Sequence, residues 1–220
     1  MFPIRGLREY IRNRRLQRQE RQAEERHRLS RIASLERNYN TKLAVLQTTF
    51  ANGPDKLHEV QLPDYPGALY LGGVGIEAFV QSQKIEVDQL PDFIGLLQQD
   101  HVEVRHRFYS RKNTTSFAGY AYIATKLEFS GQTVRVLSND VDLLCKLAQA
   151  DFNPPPPWVA FPELGPWIGA LQGDAEYWYS NVWDRYWDHL TPDQRTTFLR
   201  DRNPGADWEE CVRWREPRQC

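Results

Sequence analysis

The chain has 220 residues, 40% of them apolar, and a formal net charge of −1. That many apolar side chains can build a core, which excludes wholesale disorder, and the length suits one large domain or a domain with an appendage. Every apolar stretch is shorter than the roughly 18 residues that a membrane-spanning helix needs, which excludes such a helix.

The near-neutral total hides two oppositely charged parts of the chain. Residues 1–56 contain 13 Lys and Arg against 6 Asp and Glu, a net charge of +7, so residues 57–220 carry −8. This asymmetry predicts a basic arm attached to an acidic body. It says more about partners than the total charge does.

The N-terminal segment predicts one long helix from Leu7 to Phe50, ended by Asn52, Gly53 and Pro54. Residues 17–28 contain Ala23 as their only apolar side chain and can bury nothing. The helix begins with an arginine cluster, formed by Arg5, Arg8, Arg12, Arg14, Arg15 and Arg18. It ends with an apolar seam at helical spacing, interrupted by Glu36 and formed by Leu29, Ile32, Tyr39, Leu43, Leu46 and Phe50.

Several roles for this arm remain open. It can be a solvated helix packed at both ends, or its seam can bind another protein or a sister subunit. Its arginine cluster can instead bind a polyanion such as nucleic acid, since arginine suits phosphate. The glutamates that follow the cluster argue against that role. A weak membrane-surface contact through Phe2, Ile4, Leu7 and Ile11 is a further interpretation.

Residues 57–152 predict an α+β body with an antiparallel sheet and flanking helices. The predicted strands are residues 69–71, 102–109, 117–129 and 133–137, and the predicted helices are residues 76–83, 91–99 and 140–150. Ser138, Asn139 and Asp140 are expected to cap the last of these helices. Ser130 and Gly131 indicate a hairpin. The connections are too short for parallel crossovers, so the strands are expected to run antiparallel.

Residues 153–220 predict a proline spacer and a Trp-rich helical segment packed on the body. Asn153 to Pro157 is the best internal boundary, and all seven tryptophans follow it. Thr191 to Gln194 form a capping box at the start of one helix, which Asn203 to Gly205 end. A preceding helix, residues 174–190, carries a broad aromatic stripe.

The opposite face of that helix is acidic, with Asp174, Asp184 and Asp188. Asp184 and Asp188 are one turn apart and adjacent to His189, so they can act as an acid/base pair or as an acidic patch for a basic partner. A core-facing aromatic stripe with a solvated acidic face is the favoured interpretation.

No catalytic motif, cofactor or metal site is predicted. Residues 73–78 match G-x-G-x-x-A, but the downstream strands do not make a dinucleotide-binding sheet, and a glycine turn is favoured. His101 and His106 are five residues apart and lie on opposite faces of a strand.

The cysteines Cys145, Cys211 and Cys220 form no CxxC motif, which favours a reducing compartment with the cytoplasm as default. The leading hypothesis is therefore a non-enzymatic interaction protein, that is, an adaptor, an inhibitor of immunity type or an assembly subunit. It would use the N-terminal helix as a contact arm and an acidic, aromatic body surface. Nucleic-acid association and an enzyme with an acidic site around Asp184 and Asp188 are the alternatives.

Overall fold

The structure, a computed structural model, describes residues 4–112, 118–150, 152–167 and 169–215, with side chains from residue 13 onward. It contains a long N-terminal helix, a six-stranded antiparallel sheet with flanking helices, and a helical C-terminal part. The predicted α+β class is confirmed.

The N-terminal segment forms two helices instead of one. Helix α1 spans Ile4–Tyr39 and helix α2 spans Leu43–Thr49. The predicted continuous helix is wrong at Asn40, which adopts a φ of 46° that an α-helix does not allow. Glu36 connects the two helices, because its Oε1 accepts a hydrogen bond from the Leu43 N–H at 2.8 Å and so caps α2.

The sheet has the order β1-β2-β6-β5-β4-β3, with every neighbouring pair antiparallel. Strands β3 to β6 form the expected meander, and β2 attaches the β1–β2 pair to β6. The strands are β1 Ala68–Tyr70, β2 Phe79–Glu86, β3 His101–Arg105, β4 Phe108–Arg111, β5 Tyr120–Glu128 and β6 Gly131–Ser138.

Strand β2 corrects the predicted helix over residues 76–83. Phe79, Gln81, Gln83 and Ile85 are buried at every second position, the period of a strand and not of a helix. The strand pairs with β6 along its whole length, from Phe79 opposite Ser138 to Glu86 opposite Gly131. The single strand predicted over residues 102–109 is likewise two strands, β3 and β4, with a turn at residues 106–107.

The remaining helices are α3 Leu90–Asp100, α4 Val141–Gln149, α5 Pro157–Ala160, α6 Gly173–Trp178, α7 Asp184–His189, α8 Pro192–Arg202 and α9 Ala206–Trp214. A π-helical turn, Tyr179–Trp183, joins α6 to α7. Two predicted caps are confirmed. Asp140 accepts from the Leu143 N–H at the start of α4, and Thr191 and Gln194 form the capping box of α8.

Three apolar clusters hold these elements together. Helices α3 and α4 cover one sheet face, where Phe93, Leu97 and Leu147 pack on Ile123 and Val136. The end of α1 and α2 cover part of the other face. The third cluster is a tryptophan cluster in the C-terminal part, in which Trp178, Trp183 and Trp187 stack.

The run of prolines lies against the sheet. Residues 154–157 are buried, and a Cβ added to Gly131 would lie 2.4 Å from Pro155 Cγ. Glycine is therefore required at the start of β6, because any side chain there would displace the proline. The Asn153 carbonyl also accepts a hydrogen bond from the Glu86 N–H at 2.9 Å, which ties the proline run to β2.

We expect Leu35→Ala to lower the free energy of unfolding by about 3 kcal/mol, because Leu35 is 5% exposed and truncation leaves a cavity against the sheet. Leu29→Ala is the matched control, since the same change in the same helix affects a side chain that is 54% exposed. We expect it to change stability by less than about 0.5 kcal/mol. Urea unfolding of both variants checks this, and equal losses would contradict the docking of α1.

Candidate functional site

Residues 13–31 of α1 form an exposed segment, in which Ala23 is the only partly covered residue. The segment is about 28 Å long at the α-helical rise. It carries seven Arg and three Glu. Residues 32–39 then dock on the sheet through Leu35 and Tyr39, so the direction of the exposed segment is fixed by its own continuation.

Most of the predicted apolar seam is buried within this chain. Tyr39, Leu46 and Phe50 lie against Tyr122, Ala124 and Leu137 of the sheet. Ile32 and Leu43 are half-buried at the rim of that cluster, and Leu29 is exposed. The apolar seam of α1 and α2 therefore packs into the protein's own core. Leu29 is the exposed residue of this seam.

The described members of the arginine cluster, Arg14, Arg15 and Arg18, are exposed on α1. The side chains of Arg5, Arg8 and Arg12 lie outside the part that the structure describes. Further along the helix, Arg28 Nη1 and Glu25 Oε1 form an exposed ion pair at 3.4 Å. Such exposed pairs contribute little to stability.

The predicted acidic residues divide by burial. Asp174 lies on α6 and Asp188 on α7, both exposed, whereas Asp184 is half-buried at the start of α7. Burial raises the pKa of Asp184, the charge of Arg215 opposes this, and Asp188 adds to it. The π-helical turn between Asp174 and Asp184 separates them along the helix, so the three carboxylates do not follow one regular α-helical face.

A buried polar group joins α4 to the sheet. His101 Nε2 lies 3.3 Å from Asp140 Oδ2, and both side chains are 1% exposed. Arg111 Nη1 donates to Asp140 Oδ1 at 3.2 Å. Burial raises the pKa of Asp140, but His101, the Leu143 N–H and Arg111 together hold it below its ordinary value. The contact between His101 and Asp140 is not predictable from the sequence, because the two residues are distant in the chain.

A second buried charge lies on the opposite face of the sheet. The Lys84 side chain is 5% exposed and its Nζ is 3.1 Å from Glu128 Oε1. Glu128 also pairs with Lys126 and accepts a 2.6 Å hydrogen bond from Thr133 Oγ1. Burial lowers the pKa of Lys84, and Glu128 opposes that effect. The alternation of side chains along β2 places Lys84 on this face. The helix predicted over residues 76–83 does not have this alternation and therefore did not predict the position of Lys84.

Within the described residues, no group of three or more His, Cys, Asp or Glu side chains is arranged to hold a metal ion. Cys145 and Cys211 are free thiols, and Cys220 lies outside the described residues. None of the helices in the described part is both long and apolar enough to span a bilayer.

Comparison with known protein families, with characterised proteins and with solved structures finds no match to this chain.

We expect Glu128 to contribute stability that depends on pH. Burial raises the pKa of Glu128, but Lys126, Thr133 and Lys84 outweigh it and lower that pKa from 4.5 to about 2. A carboxyl whose folded-state pKa is depressed stabilises the fold above its unfolded-state pKa and loses that contribution as pH falls. Glu128→Gln should therefore be less stable than the parent at neutral pH, and the difference should shrink below pH 4.5.

Urea unfolding at neutral pH and at pH about 3 measures this difference. Glu25→Gln is the control, because its ion pair with Arg28 is exposed and should contribute little at either pH. A constant difference between Glu128→Gln and the parent at both pH values would contradict the assigned ion pair.

Proposed function

We propose that this protein is a non-enzymatic interaction protein in which α1 is a contact arm for an acidic protein surface. The observation that carries the proposal is the exposed, arginine-rich segment 13–31, held in a fixed direction by the docked residues 32–39. A helix with a preset direction binds with a smaller ordering cost than a disordered tail would. The proposal covers an adaptor, an inhibitor or an assembly subunit.

A second copy of the chain is the first partner to test. Residues 57–220 carry a net charge of −8, opposite in sign to the arm. Exposed carboxylates are frequent in the C-terminal part, at Asp174, Glu176, Asp188, Asp193, Asp201 and Asp207. Opposite charges on two parts of one chain favour a head-to-tail contact between copies, in which the arm of one copy meets the acidic surface of the next.

We propose that the protein acts in the cytoplasm, because Cys145 and Cys211 are free thiols and such thiols persist in reducing compartments.

Nucleic acid is the second candidate partner. The arginine density of residues 13–31 supports it, since guanidinium groups bind phosphates in bidentate fashion.

We expect the triple variant Arg15→Glu, Arg18→Glu, Arg21→Glu to lose self-association while keeping the parent's melting temperature. All three side chains are exposed, so their replacement removes surface charge without touching the core. The matched control replaces the same three arginines by lysine, which keeps the charge. Size-exclusion chromatography with light scattering, at low and physiological salt, measures the assembly state of each protein.

A parent that is monomeric at low salt and co-purifies with no other protein would contradict the contact-arm proposal. Nucleic acid that co-purifies with the parent, is removed by nuclease and is lost in the glutamate variant would favour the second candidate.

A variant that lacks the N-terminal part of α1 should be truncated before residue 29. Deletion through residue 50 would remove Leu35, Tyr39, Leu46 and Phe50 from the core and test folding instead of binding.

A further inference from the structure

A pocket of about 210 Å³ lies between the sheet and the C-terminal part. It occupies the same sheet face as α1 and α2, toward the other end of β2 and β6. Alternation along β2 places Val80, Ser82 and Lys84 on this face. Val80 packs at the rim of the α1–α2 cluster, whereas Ser82 and Lys84 line the pocket.

Three cations line this pocket against one carboxylate. Lys84 is paired with Glu128, which Lys126 and Thr133 also contact. Arg135 and Arg185 line the pocket as well. Within the described ranges, the ion pairs of Glu128 are with Lys84 and Lys126 and not with either arginine. The carboxylate is thus already neutralised, and two guanidinium groups remain available in a concave site. Such a site concentrates anions.

The opposite wall of the pocket is a helix of unusual geometry. Tyr177, Asn181 and Arg185 are spaced four residues apart and all line the pocket. The π-helical turn, Tyr179–Trp183, lies between the first and the last of them. Single π-helical turns within α-helices occur frequently at functional sites.

The β5–β6 turn carries a second local irregularity beside the pocket. Phe129 has a φ of 53° and Ser130 a φ of 54°, and a positive φ is rare for a bulky residue such as phenylalanine. In this conformation the Phe129 ring lies 4.7 Å from Lys84 Nζ and packs on Phe161 and Tyr177. The pairing of Glu128 with Gly131 leaves a two-residue hairpin loop, which requires a positive φ at both positions, so the turn holds the Phe129 ring against Lys84.

We propose that this pocket binds a small phosphorylated molecule, with the phosphate held by Arg135 and Arg185 beside the buried Lys84. Two planar guanidinium groups and an ammonium offer more donors than a single carboxylate can accept, and the oxygens of a phosphate suit the bidentate fork of a guanidinium. Hydroxyl groups of Ser82 and Thr133 line the same space. The volume of about 210 Å³ is smaller than the roughly 300 Å³ at which drug-sized pockets begin, so the pocket itself can enclose a phosphate and only a few further atoms.

Isothermal titration of the full-length protein with inorganic phosphate at low ionic strength tests the assignment. We expect saturable binding that Arg185→Gln and Arg135→Gln each weaken by about tenfold or more, the size expected for loss of hydrogen bonds to a charged group. Arg200→Gln is the matched control, because Arg200 is exposed on α8 and pairs with Asp201; it should bind as the parent does.

The exposed Arg185 keeps the test valid if the half-buried Arg135→Gln variant fails to fold. Absence of saturable phosphate binding by the parent would overturn the proposal. So would binding that is equal in the parent and in Arg185→Gln. Malonate, titrated in parallel, separates phosphate from carboxylate: binding of malonate without binding of phosphate would also overturn the assignment.

Discussion

The packing of Tyr39 and Phe50 on Tyr122 is the contact on which the arrangement of this molecule depends. The ring centroids lie 6.1 Å and 6.0 Å from that of Tyr122, at angles typical of tilted and edge-on aromatic pairs. This contact covers one part of a sheet face that would otherwise be exposed. It also sets the direction in which α1 leaves the body and leaves the other end of β2 and β6 for the C-terminal part.

The sequence predicted best those features that depend on neighbouring residues. The capping box at Thr191, the Asp140 cap and the β5–β6 hairpin are all local, so their signals lie within a few residues. The break at Asn40 was missed because the apolar spacing continues through it. Strand β2 was missed because its buried positions include Gln81 and Gln83, whose polarity conceals the alternation. Burial there is decided by pairing with β6, which local sequence does not contain.

The pocket could not be predicted, because its cations come from three distant parts of the chain. Lys84 lies on β2, Arg135 on β6 and Arg185 on α7, and only the antiparallel register and the docking of the C-terminal part bring them together. Along this face the sheet changes within two residues from apolar Val80 and Leu137 to Ser82 and Arg135. Charged side chains buried at such a position make the fold less stable than apolar side chains of similar volume would. This cost is the physical reason to assign the charged end of the face a role in binding.

The positions of the tryptophans allow the unfolding of the C-terminal part to be followed separately from the unfolding of the sheet. All seven indole rings lie after the proline run, whereas the sheet and α1 contain tyrosine and phenylalanine alone as aromatic residues. Tryptophan emission therefore reports on the C-terminal part, and amide hydrogen exchange of the β-strands reports on the sheet. Because Arg202 pairs with Glu86 and Tyr186 donates to Asn153, the two signals should change together for as long as these contacts connect the two parts. A lag between them would measure how independently the C-terminal part unfolds.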